Sequence, residues 1–194
     1  MFRFPILVLI ALGVAFGGGI WSVRKALDAT TGFGVLTSGP WEAFPLAQTA
    51  DADPYAKAHR SRNGQLLYAG AEAVMFTAKR DSDGDLFNAA CDYAMSGASP
   101  AARLWTLQAI AIGEGTPANA GLPTALNSRM VQHDGAGTFA IALSSMAKPG
   151  NWLALPNVGR FELVLTLFDT PAVNRTGLSD LAMPTLTKTG CGHA

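Results

Sequence analysis

Charge is what this chain has least of. Asp, Glu, Lys and Arg make up 14% of its 194 residues and cancel to a formal net charge of zero, where ordinary globular domains carry about 25% charged residues. No basic stripe with interleaved aromatics is present, so the chain lacks the electrostatic footprint for a phosphate backbone and no nucleic-acid partner is expected. Histidine is almost as scarce. His59, His133 and His193 are scattered, with no His-x-x-x-His pair for zinc. His133 beside Asp134 could pair a base with its orienting acid, but neighbours on a strand point to opposite faces, and a solvated turn histidine accounts for it better. Cys91 and Cys191 are too far apart for a Cys-x-x-Cys redox or zinc pattern. There is no Gly-x-Ser-x-Gly elbow, and Ser144-Ser145 has no obvious base. Gly113-Glu114-Gly115 has neither the lysine nor the spacing of a phosphate-cradling loop. These absences leave no metal, no cofactor and no catalytic group to expect. A carboxylate pair for glycoside chemistry stays open, because its separation is a property of the fold.

One long apolar run is present. The 20 residues from Phe4 to Val23 carry no charge and are bracketed by Arg3 and Arg24. As a helix they span roughly 30 Å, the thickness of a bilayer's hydrocarbon core. Residues 1–25 therefore read as an N-terminal membrane anchor. A cleaved signal peptide is the alternative: the basic start exists, but the apolar stretch is long for a signal, and Lys25-Ala26-Leu27-Asp28-Ala29 is a poor small-x-small cleavage site. Gly13 and Gly17 form a Gly-x-x-x-Gly step that lets two helix backbones approach, a route to a homo-oligomer. Glycine is also simply common in membrane helices. Positive charges flank both ends almost equally, so the charge rule does not orient the segment.

Beyond the anchor, residues 26–49 are rich in Gly, Thr and Pro and read as a linker, with Gly39-Pro40-Trp41 as a turn. Residues 50–194 read as one domain. Asp53-Pro54 opens a short helix, cap followed by first-turn proline, which runs to Arg62 and stops before Gly64. The pattern then changes to period two. Strands are expected at Ala73–Ala78, Leu86–Tyr93, Leu104–Ile112, Met130–His133, Thr138–Leu143, Trp152–Leu155 and Phe161–Phe168. Asp81–Asp85 and Asp134-Gly135 read as hairpin turns, and Pro156–Gly159 as a further turn. In the last strand Phe161, Leu163, Leu165 and Leu167 share one face. Asp81, Asp83 and Asp85 begin like a calcium loop, but glycine falls at the fourth position and Asp92 at the twelfth, so the turn reading is preferred. The fold class expected is mainly β: an antiparallel β-sandwich or jelly-roll-like domain behind one transmembrane helix. Two cysteines downstream of a membrane segment permit one disulfide in an oxidising compartment, and a Cys91–Cys191 bond would tie the tail onto the sheet.

Several segments together resemble a known family. They are Ala52-Asp53-Pro54-Tyr55-Ala56-Lys57-Ala58, Asp81-Ser82-Asp83-Gly84, Cys91-Asp92-Tyr93, Ala102-Arg103-Leu104-Trp105-Thr106-Leu107, Gly150-Asn151-Trp152-Leu153-Ala154-Leu155-Pro156 and the Phe161–Phe168 strand. Over about residues 35–191 the chain resembles the bacterial domain of unknown function 1214 family. The resemblance implies a β-sandwich, often behind one N-terminal membrane helix, in envelope proteins of alpha-proteobacteria. It implies frequent company with a sister domain, unknown-function family 1254, in the same chain or in a neighbouring protein. It implies no established activity.

Arg103, Trp105, Asn151 and Trp152 are the candidate binding residues, because arginine and tryptophan recur at interface hot spots and aromatic rings stack on sugars. The competing reading puts both tryptophans in the core, Arg103 at a sheet end and Asn151 in a turn. The function expected is a single-pass inner-membrane protein, held through Phe4–Val23, whose periplasmic β-sandwich is a binding or assembly module. The alternative is an envelope carbohydrate-active or other small-substrate enzyme with a dispersed site.

Overall fold

The computed structural model describes residues 3–29, 35–45, 52–63, 73–112, 121–156, 159–170 and 181–192. Helix α1 (Arg3–Ala29) carries the apolar run, and its described side chains through Lys25 are exposed. It is long and apolar enough to cross a membrane. After it come β1 (Leu36–Ser38), β2 (Trp41–Ala43), α2 (Pro54–Asn63), β3 (Ala73–Ala78), β4 (Cys91–Ala98) and β5 (Leu104–Ala111). The remaining strands are β6 (Ala125–Asn127), β7 (Thr138–Ser144), β8 (Trp152–Ala154), β9 (Phe161–Phe168) and β10 (Thr185–Cys191).

The strands form two sheets, one ordered β1-β2-β3-β9-β5-β6 and the other β10-β4-β7-β8. Period two explains how they pack, since alternate side chains point to one face. In the larger sheet the inward rungs are Val74–Leu167–Trp105, Phe76–Leu165–Leu107 and Ala78–Leu163–Ala109, all buried. In the smaller sheet Tyr93 faces Leu143 and Met95 faces Ile141, all buried too. The two faces meet through rings: Trp105 on Phe139 with centroids 5.3 Å apart, and Tyr93 edge-on to Phe161 at 5.9 Å. Aromatic contacts of this geometry add to the burial of area. The mainly β sandwich is the expected class, with one departure. The β7–β8 pair is parallel, so the smaller sheet is mixed.

Helix α2 is nucleated as the sequence suggests. Asp53 Oδ1 accepts from the amides of Tyr55 and Ala56 at 2.9 and 3.1 Å, satisfying two donors that the first turn leaves free. The stop expected at Gly64 lies outside the described residues.

Three expectations need correction. Part of the segment assigned to the linker, residues 36–43, forms β1 and β2, with Trp41 and Ala43 fully buried. Gly39-Pro40 is the two-residue turn between them, and glycine is needed at its first position because φ is 57°. Second, Asp81–Asp85 does not close a hairpin. Leu86 makes only an isolated bridge to Arg80, after which the chain crosses to the other sheet. Asn88 drives the crossing: its Oδ1 accepts from Ala90 N and its carbonyl from Cys91 N, so the strand restarts at Cys91. Third, Met130–His133 is not a strand. Its backbone meets the Asn151 side chain instead of a neighbouring strand. Trp152–Ala154 and Phe161–Phe168, either side of the turn read at Pro156–Gly159, belong to opposite sheets.

Candidate functional site

The C-terminal segment and the loop after β3 meet beside the β1–β2 turn. The loop is built around Asp81, which is only 2% exposed. Its Oδ1 accepts from the amides of Asp83 and Asp85 at 3.1 and 2.8 Å, and its backbone N–H donates to Asp85 O at 2.9 Å. This is the way Asp organises a turn from within. Gly84, with φ of 93°, supplies the left-handed residue, and Arg80 Nη1 donates to its carbonyl at 2.9 Å. Asp81 Oδ2 is buried with no hydrogen-bond partner among the described residues. A buried carboxylate oxygen in that position calls for an ordered water.

Strand β10 pins this loop. Ser82 N donates to Leu186 O at 2.7 Å, and Leu186 N returns a bond to Ser82 Oγ at 2.9 Å. Lys188 Nζ donates to Asp85 Oδ2 at 2.7 Å. That bond holds the Asp85 carboxyl below its ordinary value, and the same bond raises the Lys188 ammonium above its own. Between the loop and the β1–β2 turn lies a cleft of about 390 Å³, lined by Gly39, Pro40, Glu42, Lys79, Arg80, Asp83 and their neighbours. Its polar lining mixes both signs of charge, which suits a small polar or zwitterionic guest better than an apolar one.

The four residues proposed from sequence are elsewhere, and none lines this cleft. Arg103 is exposed just before β5, with Nε 3.2 Å from Asp169 Oδ2. Among the described residues Asp169 is the non-glycine residue with positive φ, 50°, at the end of β9. Trp105 is a core residue with 0% exposure, and its Nε1 donates to Ser99 Oγ at 2.9 Å. Asn151 acts on backbone. Its Nδ2 donates to Gln132 O and Ala140 O at 2.8 and 3.0 Å, and its Oδ1 accepts from Gln132 N at 2.8 Å. A single side-chain amide thus reproduces a ladder rung between two segments. Trp152 is half-buried beside it, with Nε1 donating to Ser144 O at 3.0 Å. Asn151 and Trp152 are adjacent at the start of β8, whereas Arg103 precedes β5 of the other sheet and Trp105 lies within it.

Cys91 and Cys191 form the disulfide, with Cα atoms 4.0 Å apart across the β4–β10 pair. Among the described residues no group of three His, Cys, Asp or Glu side chains is arranged to hold a metal ion. His133 is exposed outside any strand, its Nδ1 3.1 Å from Val131 O and its ring edge-on to Phe139. The His59 side chain and all of His193 lie outside the described residues. The cleft was missed in the sequence because Glu42 sat inside a presumed linker. The local pattern is only three residues long, too short to decide against a linker: Trp41-Glu42-Ala43 alternates apolar, polar, apolar directly after a Gly-Pro turn.

Two facing β-sheets joined by a cross-sheet aromatic core, behind an apolar helix, define the class: a β-sandwich domain with an N-terminal segment that could insert in a membrane. Residues 72–172, just over half the chain, match the family described as protein of unknown function (DUF1214). The chain belongs to that family. The solved VPA0106 protein from Vibrio parahaemolyticus is similar in fold, with a TM-score of 0.56 at 19% identity over 72% of this chain and 36% of that one. An uncharacterised protein from Burkholderia cenocepacia is more distant, with a TM-score of 0.39 at 14% identity over 63% of this chain and 31% of that one. The chain therefore spans about a third of the length of either solved relative. No curated protein sequence matches it.

Proposed function

We propose that the protein is a single-pass inner-membrane protein whose β-sandwich stands in the periplasm and serves as a binding or assembly module. The observation that carries this reading is the Cys91–Cys191 bond on the same chain as α1. Disulfides persist in oxidising compartments. A helix with 20 uncharged residues from Phe4 to Val23, long enough to span a bilayer, supports a position at the boundary of one. The amino terminus is then cytoplasmic, and α1 stays on the mature protein for want of a good cleavage site.

The partner is a protein of the same envelope, and the sister domain of unknown-function family 1254 is the first to test. Close approach of two α1 helices at Gly13 and Gly17 offers a second, homotypic contact. The test is a pair of reporters fused after Ala194, one active only in the periplasm and one only in the cytoplasm. Activity of the periplasmic reporter alone is expected; activity of the cytoplasmic one alone overturns the reading. Crosslinking in native membranes followed by mass spectrometry then identifies the partner.

A further inference from the structure

The C-terminal strand ties both walls of the cleft to the smaller sheet. On one side Trp41 Nε1 donates to Pro184 O at 2.8 Å. Next to it, Gly97 of β4 lies under Pro184 so closely that a Cβ there would stand 3.2 Å from Pro184 Cα. On the other side are the two Ser82–Leu186 bonds and the Lys188–Asp85 pair. The strap has one apolar anchor. Leu186 is fully buried, and every other residue from Thr185 to Cys191 is exposed. The ladder register slips between Lys188 and Gly190, so pairing is interrupted just beyond the cleft. After that interruption the strand ends at the disulfide, with Cys191 exposed and Cys91 buried.

We propose that the Cys91–Cys191 bond is a redox latch on the cleft. Closed, it holds the end of β10 on β4, and through Lys188 it holds the loop from Asp81 to Asp85. Opened by a dithiol reductant, it lets the strand fray from its end back to Leu186. Lys188 then no longer clamps Asp85, and the cleft changes shape while the sandwich persists. The chemistry is ordinary thiol–disulfide exchange. One thiolate of the dithiol attacks Sγ of the exposed Cys191, the S–S bond breaks, and Cys91 leaves as a thiolate that takes up a proton. The dithiol's second thiolate attacks the mixed disulfide, frees Cys191 as a thiol and closes its own disulfide. The protein gains two electrons and two protons, and the dithiol loses them. Fraying stops at Leu186 because that side chain is buried and its backbone is bonded on both sides of the peptide to Ser82.

The latch is a property of the fold, so it can be tested whichever side of a membrane the domain occupies, and its failure would leave the periplasmic reading standing. The test is hydrogen–deuterium exchange of the full chain in detergent, oxidised and after treatment with dithiothreitol. Reduction is expected to speed exchange about tenfold or more in residues 83–85 and 187–191, as local opening does, and to leave Ser82 and residues 104–111 and 161–168 unchanged. The variant Lys188→Met, with the disulfide intact, is expected to speed exchange in 83–85 alone. Faster exchange at the strand end with an unchanged loop would overturn the latch. So would no change on reduction, a rise that includes 104–111 and 161–168, or a silent Lys188→Met variant.

Discussion

Strand β9 crosses the larger sheet between β3 and β5 and buries six of its eight residues, whereas β10 runs along the edge of the smaller sheet and buries one of its seven. Phe161, Leu163, Leu165 and Leu167 fix β9 by removing apolar area from water on a face pinned by strands on both sides. Strand β10 has Leu186, a backbone ladder to β4 on one side only, and discrete ties: two bonds from Ser82, one ion pair from Lys188 and one disulfide. Burial is cooperative and does not come undone one residue at a time. Ties can be cut singly. The same domain thus holds a rigid centre and an adjustable edge, and the cleft lies at the adjustable edge.

The comparison breaks if damage to the two regions has the same consequences. The largest effect is expected from Phe161→Ala. Phe161 is fully buried and stacks on Phe87 with centroids 4.9 Å apart. Its truncation should cost about 3–5 kcal/mol, measured by urea unfolding, with a loss of cooperativity across the whole domain. Replacing Cys91 and Cys191 together by serine comes next. The closed loop separates residues 100 apart in sequence; the expected loss is about 2–4 kcal/mol, and the near-ultraviolet signal of the buried tryptophans should survive in native buffer. If that signal collapsed, β10 would belong with the rigid centre. Ser82→Ala is smaller still. It leaves Leu186 N without its acceptor, at about 1 kcal/mol, and should raise amide exchange at Leu186 without moving the unfolding midpoint of the centre.

The smallest effect is the pH response of the Lys188–Asp85 pair, which is solvent-exposed and screened. Asp85 titrates below its ordinary value of 3.8, so its contribution is fully present above that value and is lost as pH falls through the lowered one. Lys188 titrates above its ordinary value of 10.5, so its contribution is present below that value and lost as pH rises through the raised one. The pair therefore acts across the intervening range. An NMR titration of Asp85 should move up towards the ordinary carboxylate value in Lys188→Met. An unmoved titration would mean that the clamp does not form in solution.

How much of this was legible depended on whether local pattern or distant contact decides a position. The apolar face of β9 could be read directly, because period-two alternation over eight residues has one reading. The cap of α2 could be read from Asp53-Pro54 for the same local reason. Strands β1 and β2 could not, since their Gly-, Thr- and Pro-rich surroundings look like a linker and the partner that fixes Trp41 is Pro184, 143 residues away. Sheet membership was also out of reach. An Asp- and Gly-rich turn looks the same whether it joins two strands of one sheet or carries the chain between sheets, and here Asn88 decided. Among the candidate binding residues, Trp105 lies in the core and Asn151 bridges backbone segments in the structure. Residue type indicated that they mattered, and only their partners showed for what. The cleft is lined by two segments, the β1–β2 turn and the loop after β3, and only the fold brings them together.

The most direct test of the central claim joins the helix, the disulfide and the compartment in one measurement. Cells are quenched with acid and free thiols are blocked. Membranes are then isolated, and the protein is digested without reduction for mass spectrometry. The expected result is a Cys91–Cys191-linked peptide in the membrane fraction, together with peptides from α1. Full blocking of both thiols in that fraction would contradict it, because the domain would then stand on the reducing side or the latch would not be closed in the cell.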